Sequence, residues 1–195
     1  MFTIRLEEAD RPALRAHLLA LDASDRRLRF GFAARDAAIE RYIDNIDFSR
    51  DTLFGVNGET RRFEGIAHLA INDKHAELGL SVLQPYRKCG VGTALVSRTA
   101  VHARNRGINL LFMQCLSENR AMMRIALSLG MRVVAKGVES EASLALPAAN
   151  AQSIMRELMA DQIALCDAAM SEVVLRPYSA APTVNNHVGS HATAK

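Results

Sequence analysis

Cysteine is scarce in this chain, and so is any long apolar run. The three cysteines, Cys89, Cys115 and Cys166, are odd in number and far apart. They offer neither a disulfide framework nor metal-ligand spacing. No apolar run approaches the ~20 residues that a membrane helix needs. The first residues, Met1 to Glu8, carry charge where a signal peptide would need an apolar stretch. The reading is a cytoplasmic protein with reduced thiols, no metal site and no membrane partner. One-sided charge is also lacking. Lys and Arg number 24 against 21 Asp and Glu, for a net charge of +3. That is too mild for a nucleic-acid footprint. What is present is 49% hydrophobic and 23% charged residues over 195 positions. This suits one domain with a real core and leaves room for an appendage.

The pattern divides the chain. Phe2 to Leu6 alternates as a short strand. Asp10 and Pro12 open a helix carrying Leu14, Leu18 and Leu21 at helical spacing. A second helical region from Asp25 to Ile46 breaks near Gly31. Strands follow at Thr52 to Val56, Phe63 to Ile71 and Ala76 to Leu83, forming an antiparallel meander. Gly92 to Arg106 reads as a helix, Asn109 to Cys115 as a buried strand, and a helix capped by Ser117 runs to Gly130. Met131 to Ala135 and Glu141 to Leu146 complete a mixed α+β order. We therefore expect a domain over 1–147, an amphipathic helix over 148–172 and a flexible tail over 173–195. The helix bears an apolar stripe of Met155, Met159, Ile163, Cys166 and Met170. That stripe must find its own sheet or a second subunit, and a homodimer is the favoured expectation.

One loop carries chemistry. Arg87-x-x-Gly90-x-Gly92 stands between a strand and a helix. Its glycines admit positive φ and close ligand approach. The helix start offers free N–H groups and the positive end of its dipole, and Arg87 and Lys88 add charge. The expected ligand is a phosphate or pyrophosphate. A Walker loop would need a lysine where Gly92-Thr93 has none. A dinucleotide fold would place the loop after the first strand of a parallel sheet, which an antiparallel meander contradicts.

The stretch Ala76 to Leu83, followed by Arg87-x-x-Gly90-x-Gly92, resembles the acetyl-CoA-binding core of the GCN-related N-acetyltransferases, the GNAT superfamily. Leu116 to Met123 and Leu129-Gly130-Met131 resemble that family's second cofactor motif. More narrowly, the Ala76-Glu77 pair, Glu118 to Met122 and Arg27-Leu28-Arg29-Phe30 resemble bacterial protein-lysine acetyltransferase domains. The resemblance implies a central, mostly antiparallel sheet with a splayed strand pair and flanking helices. It implies acetyl-CoA as co-substrate and direct acetyl transfer to an amine of unknown identity. Its pantetheine arm would pair beside Leu80, Ser81 and Val82. Its pyrophosphate would sit on Arg87, Lys88, Cys89, Gly90, Val91, Gly92 and Thr93, with Asn119 beside the arm. The family's frequent tyrosine acid falls at Ala126, so that acid is missing. A thiolate can leave unprotonated, because thiol pKa values lie only about one or two units above neutrality. Tyr86, Ser117 and Ser128 are the substitutes available.

Two residues are candidates for the base. The resemblance to lysine acetyltransferases places a general base at Glu77, within an otherwise apolar strand; a solvent-facing strand residue is the plain alternative. If Asp73-Lys74 is a two-residue turn, His68 faces Gly79 and Ala70 faces Glu77. His68 and Glu77 then share a sheet face as diagonal neighbours about 7–8 Å apart at Cα. A water-bridged pair and a half-buried structural histidine both remain open. Cys115 reads as a buried inert thiol rather than a nucleophile, and Cys89 as an oxidisable or merely small loop residue. His187 and His191 read as solvated. A CoA-binding module without turnover, or a transferase of another acyl group, stands as the alternative function.

Overall fold

The computed structural model describes residues 2–58 and 62–174, with side chains to residue 167. Met170 as a side chain, the His187 and His191 pair, and the expected tail from residue 175 lie outside the described residues. The strands are β1 (Ile4–Leu6), β2 (Thr52–Asn57), β3 (Phe63–Asn72), β4 (His75–Val82), β5 (Leu110–Leu116), β6 (Arg132–Lys136) and β7 (Glu139–Ala145). The helices are α1 (Arg11–Leu19), α2 (Ala23–Phe30), α3 (Asp36–Asp44), α4 (Val91–Asn105), α5 (Arg120–Ser128) and α6 (Ala151–Val174). They form the expected α+β fold around one seven-stranded sheet, ordered β1-β2-β3-β4-β5-β7-β6. Every pairing is antiparallel except β4 with β5.

The sheet alternation sorts the core into two layers. Ala76, Leu78 and Leu80 of β4 join Phe54 and Ala67 beneath Val91 and Leu95 of α4, with Met122 and Ala126 of α5 in the same cluster. Leu53 and Ile66 face the other way, against Leu14 and Leu18 of α1 and Ile39 and Ile43 of α3. Glu77, Gly79 and Ser81 therefore share the face of α1, α2 and α3. The hairpin register is the one implied by an Asp73-Lys74 turn: His68 lies opposite Gly79 and Ala70 opposite Glu77. Asp73 takes φ +51° to close it.

Local sequence explains the main boundaries. Asp22 caps α2 through Asp25 N–H, and Gly31 ends it at φ +82°. One expected cap is corrected. Ser117 does not cap α5; its hydroxyl bonds the Gly137 carbonyl and the Ser140 hydroxyl at 2.9 Å each. The cap is Asn119, whose Oδ1 accepts from Met122 N–H at 3.1 Å. At α6, Asn150 Oδ1 accepts from Ser153 N–H and Ser153 Oγ accepts from Asn150 N–H, a reciprocal cap.

Helix α6 docks on α4 by its polar side. Glu157 receives His102 Nδ1 at 2.5 Å and Asn105 Nδ2 at 2.6 Å, and Asp161 pairs with Arg98. Its apolar stripe faces outward: Met155, Met159 and Ile163 are exposed, as is Cys166. The stripe therefore does not cover the chain's own sheet. No described helix is long and apolar enough to cross a membrane.

Candidate active site

Strands β4 and β5 pair only over His75–Leu110, Ala76–Leu111 and Glu77–Phe112. Beyond Glu77 no β5 residue is in register, so the β5-facing edge of β4 is left for a ligand. A groove of about 580 Å³ opens there. Leu80, Ser81 and Val82 form its floor. Arg87, Lys88, Gly90, Val91, Gly92 and Thr93 form one end, and Asn119, Met122 and Ile125 form the far wall. Cys89, the remaining loop residue expected there, is exposed and does not line the groove; its Sγ donates to the Arg87 carbonyl at 3.4 Å.

The loop's shape follows from its glycines. Gly90 caps α4 at φ +85° with no side-chain cap, so the helix start keeps its N–H groups for a ligand. Nothing lies within 4 Å of a Cβ built on Gly90. At Gly92 a Cβ would meet Ile125 Cδ1 at 2.8 Å, which lets α5 close against α4. Lys88 also takes the left-handed region, at φ +63°. Arg87 donates Nε to the Val82 carbonyl at 3.1 Å, and its guanidinium pairs with Asp25 of α2. Arg27 pairs with Glu118 at the other side. Helix α2 is thus tied across the groove at two points. Asn119 spends its carbonyl on the cap of α5, which leaves its amide N–H groups for the groove.

Behind the floor lies a directed chain of hydrogen bonds. Arg29 donates to Tyr42 Oη at 2.7 Å, so the Tyr42 hydroxyl proton points to His68 Nδ1, 2.5 Å away. His68 Nε2–H then donates to Asp51 Oδ2 at 3.2 Å. Burial, with Arg29 nearby, pushes His68 down to about 4, so it is neutral and this contact is not an ion pair. Burial alone would raise the Asp51 carboxyl, but hydrogen bonds from Arg50 and the Ile71 N–H, with His68, hold it below the usual range. A parallel pair stands beside it. His17 Nδ1–H donates to the Phe63 carbonyl at 2.7 Å, and Ser81 Oγ–H donates to His17 Nε2 at 2.8 Å. Burial lowers His17 to about 4 as well.

Of the two base candidates, Glu77 is exposed and stands where the β4–β5 pairing ends. His68 is buried and has both ring nitrogens engaged, and neither residue lines the groove itself. The two share a sheet face, but His68 hydrogen-bonds Tyr42 and Asp51 rather than Glu77. Ala126 is buried, and of the substitute acids Tyr86 and Ser128 line the groove. The Ser128 hydroxyl is already bonded to the Ile125 carbonyl. Cys115 is buried with its thiol pushed up by burial, which suits an inert residue. Asp25, Tyr42, Asp51 and His17 were not evident from sequence. They come from separate elements, and no periodicity or motif joins them.

Residues 3–132 match the family described as Acetyltransferase (GNAT) domain. No curated protein sequence matches the chain. The fold is similar to that of the GNAT domain of S. lividans PAT, at TM-score 0.64 and 17% identity over 74% of this chain and 89% of that one. It is similar to the ribosomal-protein-S18-alanine N-acetyltransferase from Escherichia coli, at TM-score 0.57 and 21% identity over 76% and 94%. It is also similar to spermidine N-acetyltransferase from Vibrio cholerae, solved with CoA and spermine, at TM-score 0.58 and 14% identity over 73% and 94%. The chain belongs to the GNAT acetyltransferase family. It is an acyltransferase, and acetyl-CoA is its co-substrate.

Proposed function

We propose that this chain moves the acetyl group of acetyl-CoA directly to an amine, within the groove between β4 and β5. The observation that carries this reading is one juxtaposition. The unpaired edge of β4 runs straight into a positive-φ loop and an uncapped helix start on the same groove. The edge, with the amide of Asn119 across the groove, suits an amide-bearing arm, and the loop, with Arg87 and Lys88, suits its diphosphate.

Glu77 is the proposed base. An amine of ordinary basicity is protonated at neutral pH and must lose that proton before it can attack the thioester carbonyl. Glu77 stands at the mouth of the splay, exposed enough to pass the proton to water. His68 enters as a positioning residue: with both nitrogens committed, it orients Tyr42, which in turn holds Arg29. No residue is assigned as acid, because a thiolate leaves without one.

The likeness of Ala76-Glu77 and Glu118 to Met122 to protein-lysine acetyltransferase domains supports a lysine side chain as one acceptor. Three free cysteines are consistent with a reducing, cytoplasmic setting. Pairing of two copies through the outward face of α6 is the proposed assembly, supported by the exposure of Ile154, Met155, Leu158 and Met159. The test of the function is CoA release from acetyl-CoA across a panel of amines. CoA binding without amine-dependent release would favour a binding module instead.

A further inference from the structure

Most arginines around this groove have found a carboxylate or lie in open solvent. Arg26 pairs with Asp36, Arg27 with Glu118, and Arg87 with Asp25. Lys88 and Arg124, which also line it, are exposed. Arg29 is different. It is half-buried, lines the groove, and has no carboxylate partner among the described residues. Its guanidinium lies 5.1 Å from the Phe30 ring centroid and 5.3 Å from that of Tyr42. It rests directly on the backbone of Gly79, where an added Cβ would overlap Nη2.

Its neighbours do not neutralise it. Tyr42 accepts from Arg29 and gives its proton to His68, and His68 gives its own to Asp51. The hydrogen bonds run away from the guanidinium, and the histidines beside it carry no compensating charge. A partly desolvated cation held by rings and a hydroxyl, with donors to spare, is built for an anion that arrives with a ligand. Gly79 lies two residues beyond Glu77 on the same face of β4, about 7 Å along the strand. An acceptor entering from the α2 and α3 side meets a carboxylate at Glu77 and a guanidinium at Gly79.

We propose that the acceptor bears a carboxylate close to its amine, and that Arg29 receives that carboxylate while Glu77 takes the amine. The inference rests on the acetyltransferase reading and narrows it. Amino acids and peptides with an acidic residue beside the reacting amine both carry this chemistry. Polyamines, which bring only positive charge, do not.

The test measures acetyl-CoA turnover with free amino acids, with their carboxamides, with acidic and neutral short peptides, and with spermidine. CoA binding is followed separately by thermal shift. Wild-type protein should prefer carboxylates over the matching amides by about 10- to 100-fold in kcat/KM, as expected for one charge-assisted pair. Arg29→Gln should collapse that ratio towards unity, chiefly through KM, and Arg29→Lys should restore part of it. Activity on free amino acids or on acidic peptides alone identifies the source of the carboxylate. Equal or better use of amides or spermidine overturns the proposal. So does intact CoA binding with no carboxylate-bearing amine turned over, or an equal loss by Arg29→Gln on every acceptor, which would place Arg29 on the reacting carbonyl. Loss of CoA binding by the wild-type protein would instead overturn the acetyltransferase reading itself.

Discussion

Asp25 of α2 and Arg87 of the loop before α4 are ion-paired across the mouth of the groove, with the Asp25 side chain only 10% exposed. A diphosphate bound on that loop must share Arg87 with this carboxylate, and like charges close together repel. Asp25→Asn should therefore tighten CoA binding by about 2- to 5-fold while raising KM for the acceptor, because α2 loses one of its two ties. Titration calorimetry with CoA, beside steady-state kinetics, separates the two effects. Weaker CoA binding in this variant would mean that Asp25 positions Arg87 rather than competing for it.

Gly90 is needed for its backbone rather than for space. Its φ of +85° costs a side-chain-bearing residue about 1–2 kcal/mol, although nothing lies within 4 Å of a Cβ built there. Gly90→Val should lower the melting temperature modestly and remove most of the CoA-induced shift, since the branched side chain fills the space above the helix start. A full shift in this variant would mean that the ligand sits elsewhere.

The buried histidines set a pH dependence of stability. His17 and His68 bind protons at about 4 when folded, against about 6.5 in an unfolded chain. Between those values the unfolded state holds more protons, so stability rises with pH there. It is full above pH 6.5 and is lost as the pH falls towards and past 4. Thermal melts from pH 7.5 to 4 should show a steady decline, and His17→Asn together with His68→Asn should flatten it. A flat wild-type profile would contradict the burial of both rings.

Glu157 holds α6 on the domain. Replacing it with Ala leaves Arg98 and His102 buried without their shared partner, and Arg98 already has Nε and Nη1 unbonded. Arg98 keeps Asp161, so the expected cost is that of buried groups losing a hydrogen-bond acceptor, about 1–3 kcal/mol in chemical denaturation. A loss below 0.5 kcal/mol, roughly the noise of a surface change, would mean that α6 contributes little to the domain.

The fold was largely legible in the sequence because its signals are local. Asp73-Lys74 between two apolar runs set the β3–β4 register, and Gly90, Gly107 and Gly130 mark helix boundaries through their backbone freedom. The groove's phosphate end was legible for the same reason. The cap of α5 was misplaced because Ser117 and Asn119 are both capable caps, and the hydroxyl is taken by Gly137 and Ser140 of a distant hairpin. The chain from Arg29 through Tyr42 and His68 to Asp51 could not be read. Its members come from two helices, a strand and an irregular segment, and only tertiary packing joins them. The apolar stripe of α6 is legible from its spacing, and Met155, Met159, Ile163 and Cys166 lie exposed, because Glu157 and Asp161 on the opposite side make the docking contacts.

The central claim is amine-directed acetyl transfer with Glu77 as base. The most direct measurement is CoA release from acetyl-CoA in the presence and absence of a competent amine, for wild-type protein and Glu77→Gln, with the acetylated product identified by mass spectrometry. Wild-type protein should release CoA only with the amine and yield its N-acetyl product. Glu77→Gln should lower kcat by roughly 10²–10⁴ with CoA affinity nearly unchanged. Near-normal turnover by Glu77→Gln, or CoA release that ignores the amine, would contradict it.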